Sequence, residues 1–204
     1  MISSLIFGTS GSYCIGGINI TFENTSNREF PTLDGAGTIS SLAEKCLKST
    51  AFRLLTLSYV HVFVHEMSHA LAYRLFESGN PSIHINTGTQ DFGGWCSYPS
   101  PIVSKWGRIC VSMAGSMGNI AFSTCQIVSS IALSHLISPP ISAILAGGAA
   151  IWICGELLYS YVSGLKQDNG DFGQIAKMGP NCLMLAAAAL VSECALALIL
   201  ISRV

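Results

Sequence analysis

Four stretches of about twenty mostly apolar, uncharged residues constrain this chain more than any other feature, because a bilayer's hydrocarbon core is ~30 Å thick and a helix rises ~1.5 Å per residue. The first runs from about Leu54 to Tyr73, between Arg53 and Arg74, and the second from Ile109 to about Ile137, opened by Lys105 and Arg108. The third follows the Pro139-Pro140 helix breaker and reaches Leu165; the fourth covers roughly Cys182 to Ser202 and ends at Arg203. Gly147 and Gly148 let a neighbouring helix approach closely. Only 10% of the residues are charged, against about a quarter in an ordinary soluble domain. Between the first two stretches, Ile83, Ile85, Phe92 and Trp95 alternate around Gly88 and Gly93-Gly94, the pattern of a short hairpin within Pro81 to Tyr98. The expected architecture is an all-α integral membrane protein, multipass, with about four transmembrane helices and a short β-hairpin between the first two.

Residues 1–50, rich in Gly, Ser, Thr and Asn and without a basic n-region or long apolar h-region, read as an extramembrane or interfacial arm, leaving 51–204 as the transmembrane domain. Basic residues divide evenly between the two sides of a four-span arrangement, so the positive-inside rule sets no orientation. A net charge of -1 provides no basic excess for phosphates and sets nucleic acid aside. The eight cysteines form no C-x-x-C pair; Cys110, Cys125, Cys154 and Cys194 lie within apolar runs, and Cys14, Cys46, Cys96 and Cys182 are scattered, so they read as packing residues.

Within the first stretch, His65 and His69 are spaced i, i+4, which projects both imidazoles from one helix face, with Glu66 beside them. This H-E-x-x-H pattern predicts a zinc site whose glutamate would act as general base. Ionisable groups inside an apolar helix are costly and are retained mostly where they serve a site. His61, one turn earlier, extends the face as a polar lining residue. Catalytic zinc takes three protein ligands and leaves one position open, so one ligand must come from elsewhere. Asp168 is the first choice and Asp171 the alternative, because Asp171 with Gln174 also makes a helix-capping pair. Glu156 and Glu193 are isolated acids, read as hydrogen-bonding or helix-pairing groups.

Three segments, in order, resemble the short forms of the site-2-protease-like intramembrane zinc metallopeptidases. His65-Glu66-Met67-Ser68-His69 resembles the first motif of that family, Ala114-Gly115-Ser116-Met117-Gly118-Asn119 its Ala-Gly-Pro-x-x-Asn segment, and Asp168-Asn169-Gly170 its Asp-Gly ligand motif. Ser116 stands where the family has proline, and Asn169 where it has glycine. The resemblance implies that Asn119 holds substrate or an oxyanion near zinc, and that the Pro81 to Tyr98 hairpin receives an extended substrate as an added strand. The expected activity is zinc-dependent cleavage of a membrane-protein substrate segment within the lipid bilayer, with Glu66 taking a proton from the attacking water. The alternatives are a membrane zinc-binding or transport protein, and a catalytically inactive scaffold of the same fold.

Overall fold

The structure, a computed structural model, describes residues 10–23, 57–87, 93–167 and 169–204. Its first elements arise within the segment expected to be an arm. Ile18-Asn19-Ile20-Thr21-Phe22 alternates apolar and polar side chains, the two-residue period of a strand with one buried face. It forms β2 (Ile18–Glu23), antiparallel to β1 (Gly11–Ile15). The connecting Gly16 and Gly17 have φ of 57° and 80°, the left-handed pair that a two-residue hairpin loop requires.

Helix α1 (Ser58–Phe76) follows, after which the chain returns as β3 (Ser82–Asn86), parallel to β2, and β4 (Gly93–Ser97), antiparallel to β3. The sheet order is β1-β2-β3-β4, which leaves β4 as an edge strand. Val62, Phe63, Met67 and Ala70 lay one face of α1 on Ile18, Ile20, Phe22, Ile83 and Ile85. Ile20, Ile83 and Ile85 are wholly buried, each contributing roughly 1.5–3 kcal/mol by leaving water. This packing fixes the rotation of α1 and so decides where its histidines point.

Four helices complete the chain: α2 (Lys105–Ala132), α3 (Pro139–Lys166), α4 (Asp171–Lys177) and α5 (Pro180–Ile201). The Ser104 hydroxyl accepts from the Gly107 N–H to cap α2. Prolines open α3 and α5 in the first turn, where a missing N–H costs nothing. α2 is the central helix, packed against the other four. A second core joins Ile109, Met113 and Ile120 of α2 to Phe172 and Ile175 of α4 and to Cys182, Ala186 and Leu190 of α5.

Two parts of the expected architecture are overturned. The protein is not all-α, because a four-stranded mixed sheet stands beside the helices. Nor does it have about four transmembrane helices: among the described residues two helical stretches, Pro139–Lys177 and Pro180–Ile201, are long and apolar enough to cross a membrane. The physical reason lies in uncharged polar groups, which a search for missing charges passes over. α1 carries His61, His65, Ser68 and His69 as well as Glu66, and α2 buries Ser112, Ser116, Asn119, Ser123 and Thr124 against its neighbours. α3 and α5 show the opposite arrangement. Ile144, Ile151, Leu158 and Leu165 recur every seven residues along α3 with their side chains exposed, as do Met184, Val191 and Leu198 along α5. Within the expected arm, Gly11–Ile15 and Ile18–Glu23 are strands; apart from residues 10–23 that arm lies outside the described residues, as does Asp168.

Candidate metal centre

On α1, the i, i+4 spacing sets His65 edge-on to His69 with ring centroids 4.8 Å apart. Each ring has one nitrogen committed away from the other. His69 Nδ1 donates to the Val111 carbonyl of α2 at 2.6 Å, and His65 Nδ1 donates to Glu156 Oε1 of α3 at 3.2 Å. These bonds leave Nε2 of both rings as lone-pair donors facing the same point.

The third group at that point is Asp171. Its Oδ2 lies 3.1 Å from His65 Nε2 and 3.3 Å from His69 Nε2. The expected helix-capping role of Asp171 is corrected here: it is the first residue of α4, Gly170 is the N-cap, and no side chain of α4 caps that end. Helix α3 does so instead. Ser163 Oγ accepts from the Gly173 N–H at 2.9 Å and Tyr159 Oη from the Asp171 N–H at 3.3 Å, so two free amides of the first turn are met from outside. The Asp171 carboxylate is thereby released toward the histidines.

These donors fit a metal ion. Ligands about 2.0–2.2 Å from a tetrahedral zinc stand roughly 3.3 Å from one another; the two Asp171 contacts are 3.1 and 3.3 Å, and all three donor atoms lie within 4.8 Å of one another. His65, His69 and Asp171 form the one group of three or more His, Cys, Asp or Glu with metal-ligand spacing among the described residues. The backbone opposite is shaped to match. A β-carbon on Gly115 would collide with Nε2 of both histidines, so this glycine leaves open the space in which an ion would sit. Gly118, one turn on, faces Ser68 as closely and lets α2 lie against α1. Gly115→Ala is expected to keep the fold and to lower metal affinity by at least the tenfold to hundredfold that loss of a supporting partner costs. Equilibrium dialysis against zinc alongside circular dichroism checks this; a variant that binds as tightly as the parent would show that the ion does not lie against Gly115.

Glu66 lies where the site meets the sheet, close enough to His65, His69 and Asp171 to feel their charges and with its side chain against β4. A β-carbon on Gly94 would come within 2.7 Å of Glu66 Cγ and 2.9 Å of Val62 Cγ1, so β4 crosses directly over Glu66 because Gly94 lacks a side chain. Downstream on β4, burial and the nearby Glu66 charge push the Cys96 thiol up to about 12, which keeps it a neutral thiol and not a thiolate ligand. Burial raises the Tyr98 phenol as well, helped by its contact with Cys96 and the negative charges of Asp171 and Glu66, so it remains a neutral O–H beside the site. Its ring stacks on Tyr73 at 4.7 Å.

Asn119 is 1% exposed and both of its amide atoms are engaged: Oδ1 accepts from His61 Nδ1 at 2.8 Å and Nδ2 donates to Glu156 Oε1 at 2.6 Å. Glu193 lies outside the metal-spaced group, whereas Glu156 joins it from behind His65. Sequence spacing offered no signal for Glu156, whose partners lie 91 and 37 residues away. No protein-family model, no curated protein and no solved structure matches the chain.

Proposed function

We propose that the protein is an integral membrane zinc-dependent endopeptidase that cleaves membrane-embedded peptide segments, with His65, His69 and Asp171 holding the ion and Glu66 as general base. The observation that carries the reading is the convergence of two imidazole Nε2 atoms on one carboxylate oxygen while both Nδ1 atoms already donate elsewhere. With both Nδ1 atoms donating and both carboxylates ionised, protons would satisfy that arrangement as two buried imidazolium ions in contact, a costly pair. One divalent cation satisfies all three donors at once. The proposal follows the likeness to the site-2-protease-like metallopeptidases, with Asp171 in place of Asp168 as third ligand.

Zinc, when bound, supplies the positive charge that makes a water acidic and polarises a scissile carbonyl. Glu66, 7% exposed beside the two ligand histidines, accepts the proton of the attacking water and passes it to the leaving amine. Asp171 and the two Nε2 atoms would hold the cation, and Val111 and Glu156 fix the imidazoles. The substrate must reach Glu66 as extended chain, because a helix hides its carbonyls in i to i+4 bonds. Edge strand β4 supports such a route: its backbone lies over Glu66 at Gly94, and its second edge carries no strand among the described residues, so a peptide can add there by main-chain bonds. Asn119, engaged with His61 and Glu156, is assigned to positioning in place of an oxyanion role. The exposed aliphatic rows of α3 and α5 support embedding in lipid, where such rows replace surface charge.

The protein in detergent should cleave a reporter bearing a helix-breaking apolar segment, lose that activity to a chelator such as 1,10-phenanthroline, and regain it on adding zinc. Cleavage that persists with metal removed would refute the proposal.

A further inference from the structure

Behind the ligands runs a chain of hydrogen bonds that cleavage chemistry does not itself require. His61 Nδ1 on α1 donates to Asn119 Oδ1 on α2 at 2.8 Å, Asn119 Nδ2 donates to Glu156 Oε1 on α3 at 2.6 Å, and His65 Nδ1 donates to that same oxygen at 3.2 Å. Exposure of His61, Asn119 and Glu156 is 0%, 1% and 6%. The direction of the chain is set by its chemistry. An amide that turns its nitrogen to a carboxylate must turn its oxygen to His61, so His61 carries its proton on Nδ1. The His61 ring is itself clamped, stacked on Trp152 at 4.8 Å and edge-on to Phe122 at 5.1 Å. Glu156 Oε2 is buried without a hydrogen-bond partner, so the two donors on Oε1 fix the carboxylate.

We propose that Glu156 is a positioning residue that aims His65 Nε2 at the metal and strengthens it as a ligand, held in place by Asn119 and, through it, by His61. The proposal rests on the zinc reading above. A carboxylate that accepts from the distal N–H of a ligand histidine fixes its tautomer and ring angle and raises its basicity, and loss of such a partner costs about tenfold to a hundredfold in metal affinity. The two histidines differ in this respect. His69 leans on a backbone carbonyl, which no side-chain change removes, whereas His65 depends on one side chain from a different helix. A Glu156 that only pinned three helices together would change stability and leave a folded protein's metal site untouched.

The test uses the full chain in detergent with Co²⁺ alone as probe, measuring affinity and the visible absorption of the bound ion, with circular dichroism to confirm the fold. The intact protein should bind one Co²⁺ with the intense bands of a four-coordinate site. Glu156→Ala should bind it about tenfold to a hundredfold more weakly, with shifted bands. Glu156→Gln keeps an acceptor oxygen for both donors and loses the charge, so it should fall between the two. If Glu156→Ala does not fold, Glu156→Gln decides alone: affinity and spectrum matching the intact protein would overturn the proposal. Intact protein that binds no Co²⁺ would instead overturn the metal reading itself, a result distinct from an intact site insensitive to Glu156.

Discussion

Glu66→Gln is expected to reduce cleavage of a membrane-segment reporter by about 10²- to 10⁴-fold, the usual share of a general base, while zinc stays bound. The exchange preserves volume at a site where the side chain is pressed under Gly94, so the fold has no reason to change. Glu66 lies outside the group formed by His65, His69 and Asp171, and its loss removes no ligand. The same variant separates the rival readings. A zinc carrier would still bind and move the ion or lose both functions together, and a scaffold would have no cleavage to lose. Cleavage by the Gln variant at the parental rate would remove Glu66 from the chemistry.

Asp171→Ala is expected to have the larger effect on the ion itself. It should lower zinc affinity by more than the tenfold to hundredfold typical of an outer partner, and it should do so without melting α4. The cap of that helix is the Ser163 hydroxyl on the Gly173 N–H, together with Tyr159, and both survive the substitution. Asp168→Ala should keep a full equivalent of zinc. Zinc per chain after dialysis against a mild chelator checks the pair of variants, and retention in Asp171→Ala with loss in Asp168→Ala would restore Asp168 as the ligand.

What was legible in the sequence was local. His65, Glu66 and His69 sit within five residues, and the helical period alone sets their imidazoles on one face. Asp171 was visible as an acid of the right kind, but Asp171 with Gln174 is also a capping signal, and the capping in fact comes from Ser163 and Tyr159 on another helix. Nothing in a single segment reveals that substitution of one cap for another. Glu156 and Asn119 meet only when α2 and α3 close on α1, so Glu156 reads as an isolated acid and Asn119 is singled out only by the resemblance, as a substrate or oxyanion group.

Part of the sheet is legible in the sequence. Ile18-Asn19-Ile20-Thr21-Phe22 has strand alternation and follows a Gly16-Gly17 turn, yet the small polar residues around it suggested an arm. The count of membrane helices failed for a different reason. A run of few charges in α1 or α2 still carries histidine, serine, threonine and asparagine, and many of these side chains are buried against neighbouring elements. In α3 and α5 the outward positions are aliphatic, a distinction between faces that average apolarity does not show.

X-ray absorption at the zinc edge of the intact purified protein tests the central claim most directly. One zinc per chain is expected, surrounded by two imidazole nitrogens and carboxylate or water oxygens at about 2.0–2.2 Å, with no sulfur. Absence of zinc, or a sulfur shell near 2.3 Å drawn from the eight cysteines of the chain, would contradict the His65, His69 and Asp171 centre.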